Sequence, residues 1–326
     1  MHSATVSIEV FGRKEYIEIK AALRFERNYG VTLLVIGLDW LLIAAALLLL
    51  RHGGAPAFLG SQCLLAVVFF HNFAILHEAG HGNTSSSKVL NTITGLYASV
   101  LCFMPFFPWK YIHQKHHVWA GNPERDPTGR NVKRWQREHR VPWVLRAAWR
   151  SWIPLGALAQ HFVFWSYPAV LLREDKSKLW PCVASVLLLP SAYLTLYFLW
   201  PQLFRPANFV PAFIIYLFAE ELVNLPHHSD LFKFSGRLPL WEQWKAARSC
   251  YYPVFVSELL VLNFNFHIEH HLYPSLPWYR LRGARKLVRR ALGDEYNEAV
   301  GIGWNLSNRS RDIQTLLVPR DAHRPT

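Results

Sequence analysis

The fold is decided by residues 31–77, which read VTLLVIGLDWLLIAAALLLLRHGGAPAFLGSQCLLAVVFFHNFAILH. Residues 31–50 carry a single charge, Asp39, and a helix needs about 20 predominantly apolar residues to cross the hydrocarbon core of a membrane. A short turn with two glycines then leads to a second apolar stretch at 57–77. Two such stretches in close succession predict a helical hairpin in a membrane.

A second pair of apolar stretches lies further along the chain, at residues 179–200 and 207–225. The sequence therefore predicts an all-α integral membrane protein with four transmembrane helices in two hairpins. Residues 89–108 are also apolar enough to cross, and we expect them to be embedded or re-entrant. We expect residues 152–172 to form an interfacial helix, and a six-span arrangement remains the alternative.

The composition agrees with this fold class. Hydrophobic residues make up 52% of the chain and charged residues 17%, whereas soluble domains carry about 25% charge. These values exclude long disorder, a collagen-like repeat and a coiled coil. The four cysteines form no CxxC pair, so they suit neither a disulfide framework nor a cysteine zinc site. The N-terminus lacks the apolar core of a signal peptide.

The basic residues are distributed unevenly. Of the 35 lysines and arginines, only Arg51 and Arg205 fall in the short hairpin turns. The positive-inside rule therefore predicts that both termini and the long segments 1–30, 78–178 and 226–326 are cytoplasmic. We interpret the whole chain, 1–326, as one domain whose first hairpin is 31–77, whose second is 179–225, and whose cytoplasmic helical cap is 226–326. The net charge of +13 suits anionic headgroups and a protein partner, and no nucleic-acid partner is expected.

Histidine is unusually frequent, with 16 residues, of which ten fall into four tight clusters. A lone histidine such as His52, His71 or His161 is typically a satisfied polar residue. The clusters differ, because residues at i, i+3 and i+4 share one face of a helix and so direct several imidazoles one way. The clustered histidines are His77 and His81, His113, His116 and His117, His227 and His228, and His267, His270 and His271.

All four clusters can meet at one membrane–cytoplasm boundary, since each lies at a span end or in a predicted cytoplasmic segment. About nine imidazoles exceed what one ion can bind, so the sequence predicts a histidine-rich site for two metals. The carboxylate-based Glu-x-x-His pattern of ferritin-like sites is absent. A nitrogen-rich pair of this kind suits iron that reacts with oxygen better than zinc that hydrolyses.

The boxes HEAGH (77–81), HQKHH (113–117) and HIEHH (267–271), in this order around two hairpins, resemble the membrane fatty acid desaturase superfamily. The resemblance covers about residues 30–285. It implies a di-iron centre that activates O₂ and removes hydrogens from an unactivated pair of carbons. By motif match it implies the ligands His77, His81, His113, His116, His117, His267, His270 and His271. Asn224 with His228 resembles the family's Asn-x3-His element, which supplies a further ligand and a water-linked amide.

Two departures from family patterns refine this expectation. The third box opens with His267, where front-end desaturases carry glutamine. No HPGG haem motif occurs, so no cytochrome b5 domain is fused, and the electrons are expected from a separate ferredoxin, rubredoxin or cytochrome b5 that a basic face would attract. Ligand histidines usually donate their other N–H to a carboxylate or carbonyl, which makes Glu78, Asp126 and Glu269 candidate partners.

The resemblance therefore implies an O₂-dependent desaturase that introduces a double bond into a long fatty acyl chain, carried as a lipid or a thioester. The alternative is a hydroxylase or ketolase of the same superfamily acting on a lipid, alkane or carotenoid. A metal transporter is disfavoured, because Asp39 is the only ionisable residue in the middle of a predicted span. The compact length and residue usage favour a bacterial inner membrane over the endoplasmic reticulum.

Two predictions concern single residues. A carboxylate at the centre of a span costs about 2.5–3.5 kcal/mol on insertion scales, so Asp39 should face the bundle interior and bond a polar group. His228, rather than His227, should join the metal ligands. Asn224 and His228 share a helix face at i and i+4, whereas His227 points about 100° away, although Pro226 can kink this turn.

Overall fold

The computed structural model describes residues 11–129, 142–317 and 320–321, and these are mostly helical. The helices are α1 Arg13–Ala22, α2 Tyr29–His52, α3 Ala55–His81, α4 Lys88–Cys102, α5 Phe106–Trp119, α6 Trp143–Arg150, α7 Leu155–Glu174, α8 Leu179–Leu199, α9 Val210–His228, α10 His267–Leu272, α11 Trp278–Leu292, α12 Gly301–Asn308 and α13 Ile313–Leu317. Four short strands pair in parallel, β1 Phe232–Lys233 with β4 Arg320–Asp321 and β2 Ser249–Tyr251 with β3 Glu298–Val300.

Helices α2 and α3 form the first apolar pair and pack against each other. The Asn28 side chain caps α2 by accepting a hydrogen bond from the Gly30 N–H at 3.0 Å. Gly53 and Gly54 make the turn with φ of 74° and 84°, a region that glycine enters without a steric penalty. Most of α2 faces outward, whereas most of α3 is enclosed by other helices. An apolar helix that is exposed along most of its length requires a lipid environment.

By length and composition, four helices in the described ranges are suited to cross a membrane: α2, α3, α7, and α8 with its preceding turn, Lys176–Leu199. Their number matches the prediction, but their identity does not. The stretch predicted as the fourth span is helical as α9 yet is absent from this set, because Glu220, Glu221 and a polar last turn lower its hydropathy. Helix α7, predicted to be interfacial, is in the set.

The predicted second hairpin is not confirmed as a packed pair. Helix α8 packs on α4, α5 and α7, whereas α9 packs on α3 and α7. The core contact of α9 is therefore with the helix that carries the first histidine box, and not with its neighbour in sequence. This places the end of α9 beside the end of α3.

Helices α4 and α5 meet at a bend of 104°, which makes residues 89–108 part of a broken span or a re-entrant loop. Phe103 ends α4 with φ of 58°, and Pro105 precedes α5. Side chains from other helices satisfy the carbonyls freed at the bend: Tyr193 donates to Val100 O at 2.5 Å, and Trp165 donates to Phe103 O at 3.0 Å. The bend returns α5 towards the end of α3.

The part that we call the cap consists of α1 and residues 229–317, and it closes over the ends of α3, α5 and α9. Its core is built on α10 and α11, against which α1 packs. The Tyr16 ring of α1 stacks on Tyr273 at 5.0 Å, and the Tyr273 hydroxyl donates to Tyr16 O at 3.1 Å. These contacts hold the third histidine box, which is α10, in the middle of the cap.

The prediction for Asp39 is confirmed, because its side chain is fully buried and paired. One carboxylate oxygen lies 2.7 Å from His71 Nδ1, and the other accepts a hydrogen bond from the Asn72 amide at 2.9 Å. The second ring nitrogen of His71 donates to the Leu259 carbonyl at 2.5 Å. A chain of buried polar groups therefore joins α2 and α3 to the π turn Val256–Leu260 of the cap.

We expect Asp39→Leu to lower the free energy of unfolding by about 1–3 kcal/mol, because it leaves His71 and Asn72 buried without their partner. Thermal unfolding in detergent, followed by size-exclusion fluorescence, measures the change. Leu34→Ala on the same helix is the matched control, since Leu34 is 73% exposed. The double variant Asp39→Leu/His71→Leu should lose less than the sum of the single losses, and strictly additive losses would contradict the pairing.

Candidate metal centre

Nine of the ten clustered histidines meet in two groups whose ring nitrogens lie within 4.8 Å of one another inside each group. The first group takes its members from three helices. Here the Nε2 atom of His270 lies 3.0 Å from that of His77 and 2.9 Å from that of His117. The Nε2 atoms of His117 and His113 are 3.0 Å apart. The first group is completed by His81, whose Nε2 atom is buried and has no hydrogen-bond partner in the described ranges.

The second group joins α5, α9 and α10. His228 Nε2 lies 3.1 Å from His116 Nε2 and 2.8 Å from His267 Nε2. His271 Nε2 lies 3.1 Å from His267 Nε2. On α5 and α9 the histidines of this group lie in the last turn of the helix, where the helix meets α10 of the cap.

The HxxHH boxes are shared between the groups in opposite ways. On α5, the i and i+4 residues His113 and His117 enter the first group, and the i+3 residue His116 enters the second. On α10, the i and i+4 residues His267 and His271 enter the second group, and His270 at i+3 enters the first. Adjacent faces of each helix therefore serve the two groups, which places the groups side by side.

The contacts of the Nδ1 atoms show where the imidazole lone pairs point. His228 Nδ1 lies 2.8 Å from the Ala246 carbonyl, which can only accept, so Nδ1 carries the proton. His116 Nδ1 lies 2.8 Å from the Asp126 carboxylate and donates likewise. In the neutral tautomer that these acceptors select, each ring presents a lone pair at Nε2, and the two Nε2 atoms lie 3.1 Å apart. Such an arrangement is repulsive unless a cation lies between them.

The spacing of the nitrogens fits ligands of one ion in each group. Two imidazole nitrogens that each lie about 2.1 Å from a metal at a right angle are about 3.0 Å apart. The close Nε2 pairs are separated by 2.8–3.1 Å. All the donors in these two groups are imidazole nitrogens. Neutral imidazole is a good ligand for first-row transition metals.

Burial keeps the cap histidines in the form that binds metals. Desolvation lowers the pKa of His267, His270 and His271, and the neighbouring imidazoles lower it further. These side chains are therefore neutral at physiological pH. A neutral imidazole can offer a lone pair, whereas a protonated one cannot.

Two of the three predicted carboxylates lie against histidines. Glu78 has one oxygen 3.4 Å from His77 Nδ1, and the other accepts from the Trp278 N–H at 2.9 Å. Asp126 faces His116 and is fixed by Thr128, whose hydroxyl and N–H donate to it at 2.7 and 3.0 Å. Burial by itself would raise the pKa of Asp126, but His116 and Thr128 outweigh it and hold that pKa below its usual range.

The expectation that Glu269 supports a histidine directly is wrong. Its oxygens accept hydrogen bonds from the Ser249 hydroxyl at 2.8 Å and the Tyr296 hydroxyl at 2.6 Å. On α10, Glu269 is two residues after His267, which turns it about 200° away from that imidazole. Glu269 instead fastens α10 to the residues of β2 and to those preceding β3.

Sequence reasoning missed the turn Leu240–Ala246, which contacts both groups. The Gln243 amide donates to the His117 carbonyl at 2.7 Å, and its oxygen lies 3.3 Å from His271 Nδ1. The Ala246 carbonyl binds His228, as described above. A single glutamine outside every histidine box gives no signal in the sequence, because only the folded cap brings it to the site.

His227 and Asn224 lie outside both groups. The His227 ring stacks on His267 with centroids 4.2 Å apart, and both of its ring nitrogens are buried without a hydrogen-bond partner in the described ranges. Asn224 is half-buried on α9, one turn before His228. Its side chain makes no hydrogen bond to a histidine within the part of the chain that the structure describes.

The close approach of α3 and α5 depends on Gly80, inside the first box. A Cβ atom at this position would lie 2.5 Å from the Trp109 ring, so no larger residue fits without a shift. His113 in turn stacks on Trp109, with ring centroids 4.4 Å apart. The glycine of the first box thus allows the second box to reach the first group.

A narrow apolar pocket opens beside the first group, next to His77 and His270. Its other lining residues include Ala74, Leu262, Phe264, Trp278 and Leu281. Glu78 completes the wall at the end of α3. The lining is mostly apolar, but the cavity has a volume of only about 10 Å³, which is room for about one water molecule.

Comparison with known proteins agrees with this site. The profile of the family described as "Fatty acid desaturase" matches residues 53–300, which is more than half of the chain. The chain is 26% identical over 257 residues to the chloroplastic omega-6 fatty acid desaturase of Glycine max, covering 72% of this chain and 56% of that protein. It is 23% identical over 260 residues to the sn-1 acyl-lipid omega-3 desaturase (ferredoxin) of a Synechocystis strain, covering 70% of this chain and 66% of that protein.

A third relative is the sn-1 oleoyl-lipid 12-desaturase of a Picosynechococcus strain, 25% identical over 249 residues that cover 72% of this chain and 69% of that protein. The chain thus spans less than two thirds of the length of the first two relatives. The profile match includes all three histidine boxes and α9. The chain belongs to the fatty acid desaturase family.

Proposed function

We propose that this protein is an integral membrane desaturase that converts a CH₂–CH₂ pair of a long acyl chain into a cis or trans CH=CH pair. The reaction consumes one O₂, two electrons and two protons. It releases two waters, which take up the two chain hydrogens and the two protons. Family membership and the names of the relatives support this assignment.

The observation that carries the proposal is the pair of facing lone pairs on His116 and His228. These buried nitrogens suit a cation, and the nine imidazoles suit two. We assign two iron ions, one to each histidine group, which would supply O₂ activation when bound. The ligands would be His77, His81, His113, His117 and His270 for one ion, and His116, His228, His267 and His271 for the other.

The surrounding residues would then orient those ligands. Asp126 holds the proton of His116 on Nδ1, and the Ala246 carbonyl does the same for His228, so that both Nε2 atoms stay free to bind. Glu78 lies close enough to His77 Nδ1 to act similarly. Asn224, on the face of α9 that carries His228, would hold a water beside the second group.

The acyl chain is proposed to reach the first group through the apolar lining beside His77 and His270, whose cavity of about 10 Å³ would have to widen to admit it. A chain held between these walls would meet the first group in a fixed orientation. The names of the relatives favour an acyl group carried by a membrane lipid. A lipid-borne chain can enter from the bilayer without leaving an apolar environment.

We place the histidine groups and both termini on the cytoplasmic side of the membrane, because the long segments carry nearly all lysines and arginines. Residue usage favours a bacterial inner membrane. The electrons would come from a separate protein, and ferredoxin is favoured because two relatives carry it in their names. A rubredoxin or cytochrome b5 is the alternative donor.

The first prediction separates two neighbouring histidines. His228→Ala should leave the purified protein with about half of the wild-type iron or less, since it removes one nitrogen from the second group. His227→Ala is the matched control and should keep nearly all of it, because His227 lies outside both groups. Elemental analysis of iron-supplemented preparations with equal size-exclusion profiles gives the answer. A larger loss of iron in His227→Ala than in His228→Ala would contradict the assignment of His228 as the ligand from α9.

A second prediction concerns the buried carboxylates. Asp126→Asn should weaken iron binding by about 10- to 100-fold, because partners of ligand histidines contribute this much to metal affinity. Glu220→Gln is the control, since Glu220 is a buried carboxylate 3.0 Å from His161, a histidine outside both groups, and should leave the affinity unchanged. Competition with a chelator measures both affinities. Equal losses in the two variants would mean that the Asp126–His116 contact has no special role.

The third prediction concerns the product. Expression in a host with a simple lipidome should yield acyl chains two mass units lighter than their precursors. His267→Ala should abolish this product while the protein still inserts into the membrane. Mass spectrometry of extracted lipids reads both results. A product sixteen units heavier would identify a hydroxylase, one fourteen units heavier a ketolase, and either would overturn the desaturase proposal.

A further inference from the structure

An open groove lies on the outer surface of the cap, between α1 and the start of the turn Leu240–Ala246. Ile17 and Leu240 expose apolar surface in it, and Trp241 is half-buried at its floor. The groove is much wider than the pocket beside His77, and it is lined by residues of the cap alone. Its lining residues play no part in the histidine site.

The groove is positively charged. Arg13, Lys20 and Arg237 line it, all three are exposed, and the lining includes no carboxylate. None of the three forms an ion pair with a carboxylate in the part of the chain that the structure describes. The guanidinium of Arg13 lies 5.7 Å from the centre of the Trp241 ring. An apolar floor with a rim of unneutralised cations is typical of a surface that binds an acidic protein.

The groove is joined to the second histidine group by a single turn. Leu240 and Trp241 begin the turn Leu240–Ala246 in the groove, and Gln243 and Ala246 end it at His271 and His228. From Leu240 to Gln243 the chain advances about 6 Å, at about 2 Å per residue for a 3₁₀ helix.

We propose that this groove is the docking surface for an acidic iron–sulfur electron donor of the ferredoxin class. Binding there would bring the donor's cluster to the outer end of the turn whose inner end contacts the second histidine group. A one-electron donor docks twice per turnover, each time leaving oxidised by one electron, which supplies the two electrons of the reaction. This inference rests on the proposed function, since it specifies where the donor of that reaction binds.

The competing basic surface is α11, where Arg280, Lys286 and Arg290 are exposed. Other arginines of this helix are neutralised within the cap, as Arg282 is by Glu258 and Arg285 by Glu298. The exposed three are spread over about 120° of the circumference of α11, so they do not converge on one cleft as the groove cations do. We therefore assign the protein partner to the groove, and α11 provides a matched control with the same number of charges.

The test compares two triple charge reversals, Arg13→Glu/Lys20→Glu/Arg237→Glu in the groove and Arg280→Glu/Lys286→Glu/Arg290→Glu on α11. The whole protein is placed in phosphatidylcholine nanodiscs, and binding of an oxidised plant-type [2Fe–2S] ferredoxin is measured by interferometry. We expect the groove variant to raise the Kd at least about tenfold at low salt, and to approach the wild type at high salt, where charges are screened. The α11 variant should bind within about twofold of the wild type.

Every other result overturns the inference. Equal losses in both variants would indicate unspecific attraction, and loss in the α11 variant alone would move the docking surface to that helix. If ferredoxin binding is unchanged in the groove variant, and a parallel assay with phosphatidylglycerol in the nanodiscs shows weaker binding of that lipid, the groove binds anionic lipid. Binding is measured without acyl substrate, so it can succeed where desaturated product is absent. Conversely, suppose that a groove variant still binds ferredoxin and forms desaturated product. That result would refute the docking surface and leave the proposed function intact.

Discussion

The structure depends on one electrostatic constraint, which is that buried imidazole lone pairs face each other at hydrogen-bond distance. His116 and His228 each donate a hydrogen bond from Nδ1 to a fixed acceptor, so two neutral rings cannot bond to each other through their Nε2 atoms. Bringing them to 3.1 Å in a desolvated site is unfavourable for the protein alone. The nine imidazoles are carried by α3, α5, α9 and α10. These helices must therefore be fixed by contacts elsewhere.

Those contacts explain much of the cap. Helix α10 has only six residues, too few to be stable alone. Glu269 binds it to Ser249 and Tyr296, and the Ser249 hydroxyl also accepts from the Ile268 N–H at 3.0 Å. Burial raises the pKa of Glu269, and the two hydroxyl donors counter this effect. The sequence predicted Glu269 as a hydrogen-bond partner of a histidine. In the structure it instead stabilises α10, the helix that carries three of the histidines.

The sequence predicted the site better than the helices around it. The spacing of i, i+3 and i+4 predicted clustered imidazoles from helix geometry alone, and the structure brings nine of them together in two groups. The same spacing could not tell that His116 and His270 would cross to the other group, since this depends on how two helices dock. Hydropathy found each apolar stretch, but the prediction of α9 as a span gave too little weight to Glu220, Glu221 and the polar last turn, which lower the mean hydropathy of that helix below that of α7. His71 was interpreted as a satisfied polar residue, and Asp39 is the partner that satisfies it.

Two irregular turns border α10 along the chain, and each ties it to a different part of the molecule. The π turn Val256–Leu260 is held to the apolar helices through the Leu259 carbonyl and His71, and it leads into Leu262 and Phe264, which line the pocket of the first group. The turn Leu240–Ala246 leads from the outer groove to the second group. On the proposed function, the lipid would approach the first group and the donor the second. Because the two groups adjoin, the two routes would then meet at one centre while being lined by different segments of the chain.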